Sequence, residues 1–251
     1  MKPIIEKTLI FAHRGASAYE PDNTMEAFEL AAKMGADGIE LDVRITSDGE
    51  VVIVHDSRID RCSNGRGTVS QYTLAELKAM DFGYGFFENQ RTKYKIATLN
   101  EVYELVAPLG MIVNVEIKDH VPEIIKACDE IAQRHNMREK VIYSSFNHYQ
   151  VCRVKDQIPG AFIAPLHMLN MSTLVDPWDF CKKIGAKATH PQFEIIKAYP
   201  DFVKTCHDNG IRVHIFGANK PEDLQYCLDS GVDVIMTDYP DVALKLRDYK
   251  E

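Results

Sequence analysis

The chain has 251 residues and a mass of 28.5 kDa, enough for one large domain or two small ones around a substantial core, which excludes a short stapled scaffold. With 45% hydrophobic and 26% charged residues the composition is that of a folded globular protein, so disorder, collagen-like repeats and coiled coil are excluded. The 29 Lys and Arg against 37 Asp and Glu leave a net charge of −8, which repels a polyphosphate backbone and argues against a nucleic-acid partner.

The first residues, Met1 to Lys7, reach a charge before any apolar run could form a signal-peptide core, and no stretch reaches the roughly 18 apolar residues of a membrane span. No integral membrane segment is expected, and cytoplasmic residence is the default. Short apolar, β-branched runs then alternate with longer amphipathic ones, the pattern of a parallel sheet covered by helices. Strands are predicted at Leu9–Ala12, Gly38–Val43, Val51–Val54, Met111–Ile117, Val141–Ser144, Ala161–Pro165, Lys187–His190, Arg212–Phe216 and Val232–Thr237. Helices are predicted at Thr24–Met34, Leu99–Val106, Pro122–Arg134, Pro200–Asn209 and Pro221–Leu228, with Asn209-Gly210 and Ser230-Gly231 as stop signals. A unit recurring in this way over ~250 residues favours a closed (β/α)₈ TIM barrel, with an open doubly wound sheet as the competing topology.

One stretch, about residues 57–94, breaks the rhythm with Gly, aromatic and charged residues and no sustained period. A packed insertion after the second strand is expected there, within a single domain spanning 1–251. The cysteines at 62, 128, 152, 181, 206 and 227 form no C-x-x-C pair and are expected to be reduced thiols, mostly filling the core.

Active sites of such barrels lie at the C-terminal strand ends, and there the chain concentrates polar residues: His13-Arg14, Glu40 and Asp42, His55-Asp56, and Glu116-Ile117-Lys118. Glu40 and Asp42 stand two apart on a strand and so share a face. Side-by-side carboxylates repel unless protonated or bridged by a cation, and Glu116 adds a third oxygen donor for a hard divalent ion such as Mg²⁺ or Ca²⁺. A lone Glu-x-Asp on a strand reads more readily as ion-pair or capping residues than as metal ligands, but three carboxylates on inward positions in an apolar context favour metal. His13 and His55 each end an apolar run, where a pair of imidazoles can serve as acid and base, or each can be a satisfied structural His. Arg14 and Lys118 suit an anionic ligand, unless they simply pair with Asp42 or Glu116.

The ordered series His13-Arg14-Gly15, Pro21-Asp22-Asn23-Thr24, Gly38-Ile39-Glu40-Leu41-Asp42-Val43, Thr46-Ser47-Asp48-Gly49, Val52-Ile53-Val54-His55-Asp56, Thr98-Leu99-Asn100-Glu101, Val115-Glu116-Ile117-Lys118, Ser145-Phe146 and Thr237-Asp238-Tyr239-Pro240 resembles the glycerophosphodiester phosphodiesterase family over residues 9 to 240. The resemblance implies a TIM barrel with a small insertion after the second strand. It also implies metal-dependent hydrolysis of a small-molecule glycerophosphodiester to glycerol 3-phosphate and an alcohol such as choline or ethanolamine. Carried over residue by residue, Glu40, Asp42 and Glu116 look like metal ligands, His13 and His55 like the acid–base pair, and Arg14 and Lys118 like phosphate contacts. In the family the attacking group is commonly the substrate's own glycerol hydroxyl, giving a cyclic phosphate that water opens.

The chain departs from the family in having Asp22 where Glu is usual, Ala97 where a proline is common, and Phe216 where a Trp is common on the seventh strand. Phe216 is the residue expected to touch the glycerol or alcohol moiety, followed by Asn219, while the sole Trp178 either covers the mouth or anchors a helix. Three rival functions share the scaffold. A lysophospholipase D or phospholipase C-like enzyme would use Phe82, Tyr84, Phe86 and Phe87 as an apolar wall. A non-catalytic phosphoester-binding barrel has no need of both histidines. An aldolase-like barrel would use Lys118. The head group, the preferred metal and the oligomeric state are left open by the sequence.

Overall fold

From Leu9 onward the chain alternates strand and helix, and the hydrogen-bond ladder shows how the strands close on themselves. The structure, a computed structural model, describes residues 7–83, 93–170 and 175–249. Its strands are β1 (Leu9–His13), β2 (Gly38–Ile45), β3 (Val51–Ile53), β4 (Ala97–Thr98), β5 (Ile112–Ile117), β6 (Val141–Ser145), β7 (Phe162–His167), β8 (Ala188–Pro191), β9 (Arg212–Phe216) and β10 (Val234–Thr237). The helices are α1 (Met25–Met34), α2 (Leu74–Lys78), α3 (Leu99–Val106), α4 (Glu123–Arg134), α5 (His148–Gln157), α6 (Pro177–Ile184), α7 (Phe193–Ala198), α8 (Phe202–Asp208), α9 (Pro221–Asp229) and α10 (Pro240–Asp248).

Strands β1, β2 and β5 to β10 pair in parallel with their neighbours, and β1 pairs with both β10 and β2, so the ten-stranded sheet contains a closed barrel of eight parallel strands. The two remaining strands are antiparallel additions: β3 on the outer half of β2, with Val43 opposite Ile53, and β4 on β3. The predicted strand Val51–Val54 is therefore real, but it is no barrel stave. A short apolar run reads the same in either place, and only the pairing distinguishes them.

Alternation along each stave sends one set of side chains inward and the next outward. Phe11, Ile142, Ala164, Ala188, Val234 and Met236 pack together inside the barrel, while Ile10, Ala12, Ile39, Leu41 and their counterparts pack under the helices. Caps fix where the helices start and stop. Thr24 accepts from the Ala27 N–H at 3.3 Å and Gly35 ends α1 in the left-handed region at φ 82°, while Thr98 and Glu101 form a capping box on α3. The Pro200–Asn209 helix is observed as Phe202–Asp208, and the short α7, of 6 residues, has too few turns to show a period.

The segment between β2 and α3 carries a core of its own, in which Val52, Val54, Ile59, Val69, Leu77, Phe82 and Ile96 are buried against one another. Phe82 is thus an interior residue of this segment and cannot serve as an exposed apolar wall; Tyr84, Phe86 and Phe87 lie outside the described residues. All six cysteines are free, with Cys128, Cys181, Cys206 and Cys227 buried.

Candidate active site

The C-terminal mouth of the barrel is built by tight backbone turns that carry charged side chains inward. Leaving β1, Arg14 and Gly15 both adopt positive φ, 57° and 83°. Gly15 admits no side chain, because a Cβ there would lie 2.6 Å from the Ala27 carbonyl carbon. This turn brings the Arg14 N–H to Glu40 Oε2 at 3.1 Å. Asn23, also left-handed at φ 63°, clamps the neighbouring acid: its Nδ2 donates to Asp42 Oδ2 at 2.9 Å, and its Oδ1 accepts the Asp42 N–H at 3.3 Å.

Register then assembles the carboxylates. Asp42 on β2 stands opposite Glu116 on β5, and His13 on β1 opposite Glu40. Glu40, Asp42 and Glu116 are all buried, and each offers an oxygen within 4.8 Å of the others. At such spacing each pair of like charges repels by on the order of 3 kcal/mol in a medium of intermediate polarity. Two cations answer three anions: Lys118 Nζ lies 2.5 Å from Glu116 and 3.2 Å from Asp42, and Arg14 Nε lies 3.2 Å from Asp42. Burial, followed by the Asp42 charge, pushes the Glu40 and Glu116 carboxyls well up. Burial would raise Asp42 too, but Lys118 and then Arg14 hold it well below the usual carboxylate range. Asp42 Oδ1 is buried with no well-formed hydrogen bond, its polar neighbour being Lys118 Nζ at 3.2 Å. Three buried carboxylates in one cluster are a set of oxygen donors that suits a hard divalent cation.

Each of the two histidines is held by a carboxylate on its Nδ1. His13 Nδ1 is 2.7 Å from Asp238 Oδ1, which also accepts from Ser17 Oγ at 3.1 Å, and Asn219 Nδ2 donates to Asp238 Oδ2 at 2.5 Å. His55 Nδ1 is 2.7 Å from Asp56 Oδ1, and Arg61 Nε donates to the other oxygen of Asp56 at 2.5 Å. With Nδ1 engaged, Nε2 is the nitrogen each ring leaves for proton transfer, and that of His13 lies 3.8 Å from Glu40. The two rings are shifted in opposite directions. Burial lowers His13, but the Asp238 bond and the Glu40 charge outweigh it and leave it raised; burial dominates at His55 and leaves it lowered. His55 reaches the mouth because the Val54 N–H bonds to the Asp42 carbonyl at 2.9 Å, so the end of β3, just before the insertion, delivers the second histidine.

Comparison with known proteins accords with this arrangement. Residues 13–242 match the model of the glycerophosphoryl diester phosphodiesterase family. A glycerophosphodiester phosphodiesterase of Caldanaerobacter subterraneus subsp. tengcongensis is 40% identical over 244 residues, covering 96% of this chain and 98% of its own. The chain belongs to the glycerophosphoryl diester phosphodiesterase family. Another relative, a glycerophosphodiester phosphodiesterase of Bacillus altitudinis, is 35% identical over 96% of this chain and 98% of its own. Among solved structures, an Oleispira antarctica phosphodiesterase in complex with its product sn-glycerol-3-phosphate superposes with a TM-score of 0.84 at 26% identity, covering 97% of this chain and 98% of that one.

For this phosphodiesterase the structure brings His13, Arg14, Glu40, Asp42, His55, Glu116 and Lys118 to one mouth. Phe216 sits at the end of β9, its ring edge-on to Phe146 at 5.8 Å, and Lys118 Nζ lies 5.8 Å from the Phe146 centroid. Arg14 and Lys118 pair with the acids, the arrangement the sequence offered as the alternative to phosphate contact. Residues that the sequence reading passed over as site residues are Asn23, Asp56, Asp238 and Asn219, which position the acids and histidines. The signal was available, since all except Asn219 stood inside the quoted motifs. Trp178 anchors α6 to α8, edge-on to Phe202 at 6.1 Å. Among the described residues no helix is long and apolar enough to cross a membrane.

Proposed function

We propose that the enzyme hydrolyses glycerophosphodiesters, such as glycerophosphocholine or glycerophosphoethanolamine, to glycerol 3-phosphate and the free alcohol, with a divalent ion, Mg²⁺ or Ca²⁺, held by Glu40, Asp42 and Glu116. The observation that carries this reading is the buried three-carboxylate cluster flanked by two histidines whose Nδ1 atoms are each fixed by an aspartate. The bound ion would supply Lewis-acid stabilisation of the charge that builds on the phosphoryl oxygens. Arg14 and Lys118, which stand beside the same acids, would add fixed positive charge for those oxygens.

His13 and His55 manage the protons. One imidazole takes the proton of the attacking glycerol hydroxyl as its oxygen bonds to phosphorus; the other gives a proton to the departing alcohol as the old P–O bond breaks. Water then opens the cyclic ester with the roles exchanged. Asp238 and Asp56 are positioning residues, holding each ring's tautomer and direction. Phe216 and Phe146 offer an apolar wall for the glycerol carbons. The whole chain acts as one catalytic domain, in which His55 follows β3 just before the insertion at about 57–94, and Arg58 and Arg61 at the start of that insertion line the space beside it.

The test is release of glycerol 3-phosphate from glycerophosphocholine by purified protein, with and without EDTA and with Mg²⁺ or Ca²⁺ restored. Chelator-sensitive release that either ion restores is the expected result. Release untouched by EDTA overturns the metal assignment, and no release with any diester overturns the reaction.

A further inference from the structure

Beside the catalytic mouth lies a second, open pocket of about 440 Å³, lined by Arg44, His55, Asp56, Ser57, Arg58, Asp60, Arg61 and Lys118. Its walls carry four basic side chains against two acids, in a chain whose net charge is −8. Since His55 and Lys118 also belong to the catalytic mouth, the pocket is continuous with the place where the diester reacts. We propose that this pocket is a subsite for a second anionic group on the alcohol arm of the substrate, so that the enzyme favours glycerophosphodiesters whose head group carries an additional phosphate or carboxylate. The inference rests on the diester hydrolysis proposed above.

The basic residues are not equivalent. Arg44 is committed to structure, its Nη1 on Asp119 at 2.5 Å and its Nε and Nη2 donating to the His55 carbonyl at 3.1 and 2.8 Å. It forms the floor. Arg61 uses Nε to hold Asp56, with a looser contact from Nη2 to Asp22 at 3.3 Å, which leaves N–H groups over for a ligand. Arg58 is the adaptable member: its side chain is 61% exposed and its partner Asp60, at 3.0 Å, is itself 38% exposed. An ion pair that open is worth little, so Arg58 can exchange Asp60 for a better anion at small cost, and a planar guanidinium accepts phosphate through two parallel N–H groups. Lys118 lines the pocket on the side of the carboxylate cluster, paired with Glu116 at 2.5 Å and Asp42 at 3.2 Å.

Direction follows from the barrel. Phe216 ends β9, across the mouth from β2 and the insertion, so a diester with its glycerol carbons on Phe216 and Phe146 extends its other arm over His55 into the basic pocket. A neutral or cationic head group gains nothing there, whereas a second phosphate meets Arg58 and Arg61.

The experiment compares kcat/KM for glycerophosphoinositol 4-phosphate and glycerophosphoinositol, which differ only in the second phosphate. The wild-type enzyme is expected to favour the former by about tenfold, with the preference shrinking as salt rises. Arg58→Glu should abolish the preference while leaving glycerophosphoinositol hydrolysis within about twofold, because Arg58 touches none of the groups that handle the scissile phosphate. Equal wild-type kcat/KM values, or an Arg58→Glu effect that is the same on both substrates, overturns the subsite. If neither diester is cleaved, the proposed reaction has failed and the pocket is judged by calorimetry without metal, using inositol 1,4-bisphosphate against inositol 1-phosphate. Tighter binding of the bisphosphate that Arg58→Glu removes supports the subsite; equal or absent binding overturns it.

Discussion

Histidines of the mouth in the first half of the barrel and of the interior in the second half are put to opposite uses. In the first half, His13 and His55 each bond to an aspartate and stand among Glu40, Asp42 and Glu116. In the second half, His167, His190 and His214 are almost fully buried, and none has a carboxylate partner. His190 Nε2 meets His214 Nδ1 at 2.9 Å, while His190 Nδ1, His214 Nε2 and both nitrogens of His167 go without hydrogen bonds. Burial pushes His167 down to about 4 and His190 down to about 3, so these rings stay neutral and act as core. The residue type does not decide the role. A carboxylate on one ring nitrogen, with the other facing the mouth, equips an imidazole to carry a proton; apolar enclosure makes it filler.

The sharpest way to break this contrast is to delete a histidine from the charged half. His13→Ala or His55→Ala should each lower kcat by ~10²-fold or more with the thermal midpoint little changed, as measured by steady-state kinetics and a circular-dichroism melt. Near-normal turnover in either variant removes that ring from proton transfer. Next in size, Glu40→Gln should weaken the metal's hold by roughly ten- to a hundredfold, seen as a rightward shift in the ion titration of activity. An unshifted titration would count against Glu40 as a ligand.

A smaller effect is expected at the neutral wall. Phe216→Ala should raise KM several-fold with kcat within about twofold, since a lost apolar contact costs roughly 1 kcal/mol of ground-state and transition-state binding alike. A fall in kcat with KM unchanged would place Phe216 in the chemistry instead.

The smallest catalytic effect belongs to the second half. His190→Gln should leave kcat within about threefold yet change how stability responds to acid. The native ring resists protonation down to about 3, while the unfolded chain takes up its proton near 6.5, so below 6.5 the unfolded state gains protons that the native state does not, and stability falls as pH falls. Replacing His190 should flatten that loss by up to about 1.4 kcal/mol per pH unit, read from melts between neutral and mildly acidic pH. An unchanged slope would mean the ring is already charged in the fold.

Much of this was legible in the chain. Strand–helix alternation gave the staves, because burial on both faces leaves continuous apolar runs such as Leu9 to Ala12 and Val234 to Met236, and the spacing of Glu40 and Asp42 placed two acids on one face. The motif phrases held the two mouth histidines, His13 and His55, and their neighbours in order. What they could not say is which partner each would meet. Asp238 comes 225 positions after His13, and no local pattern joins them; closure of β1 onto β10 does. The strand at Val51–Ile53 reads like any stave until its antiparallel register sets it outside the barrel and so aims His55 at the mouth. Residue types and periodicity, being local, determined the fold class and the reactive groups. Pairing, burial and charge balance act between distant segments, and only the tertiary structure decided which acids crowd into one cluster, which histidines of the mouth keep a carboxylate and which basic side chains face an open pocket.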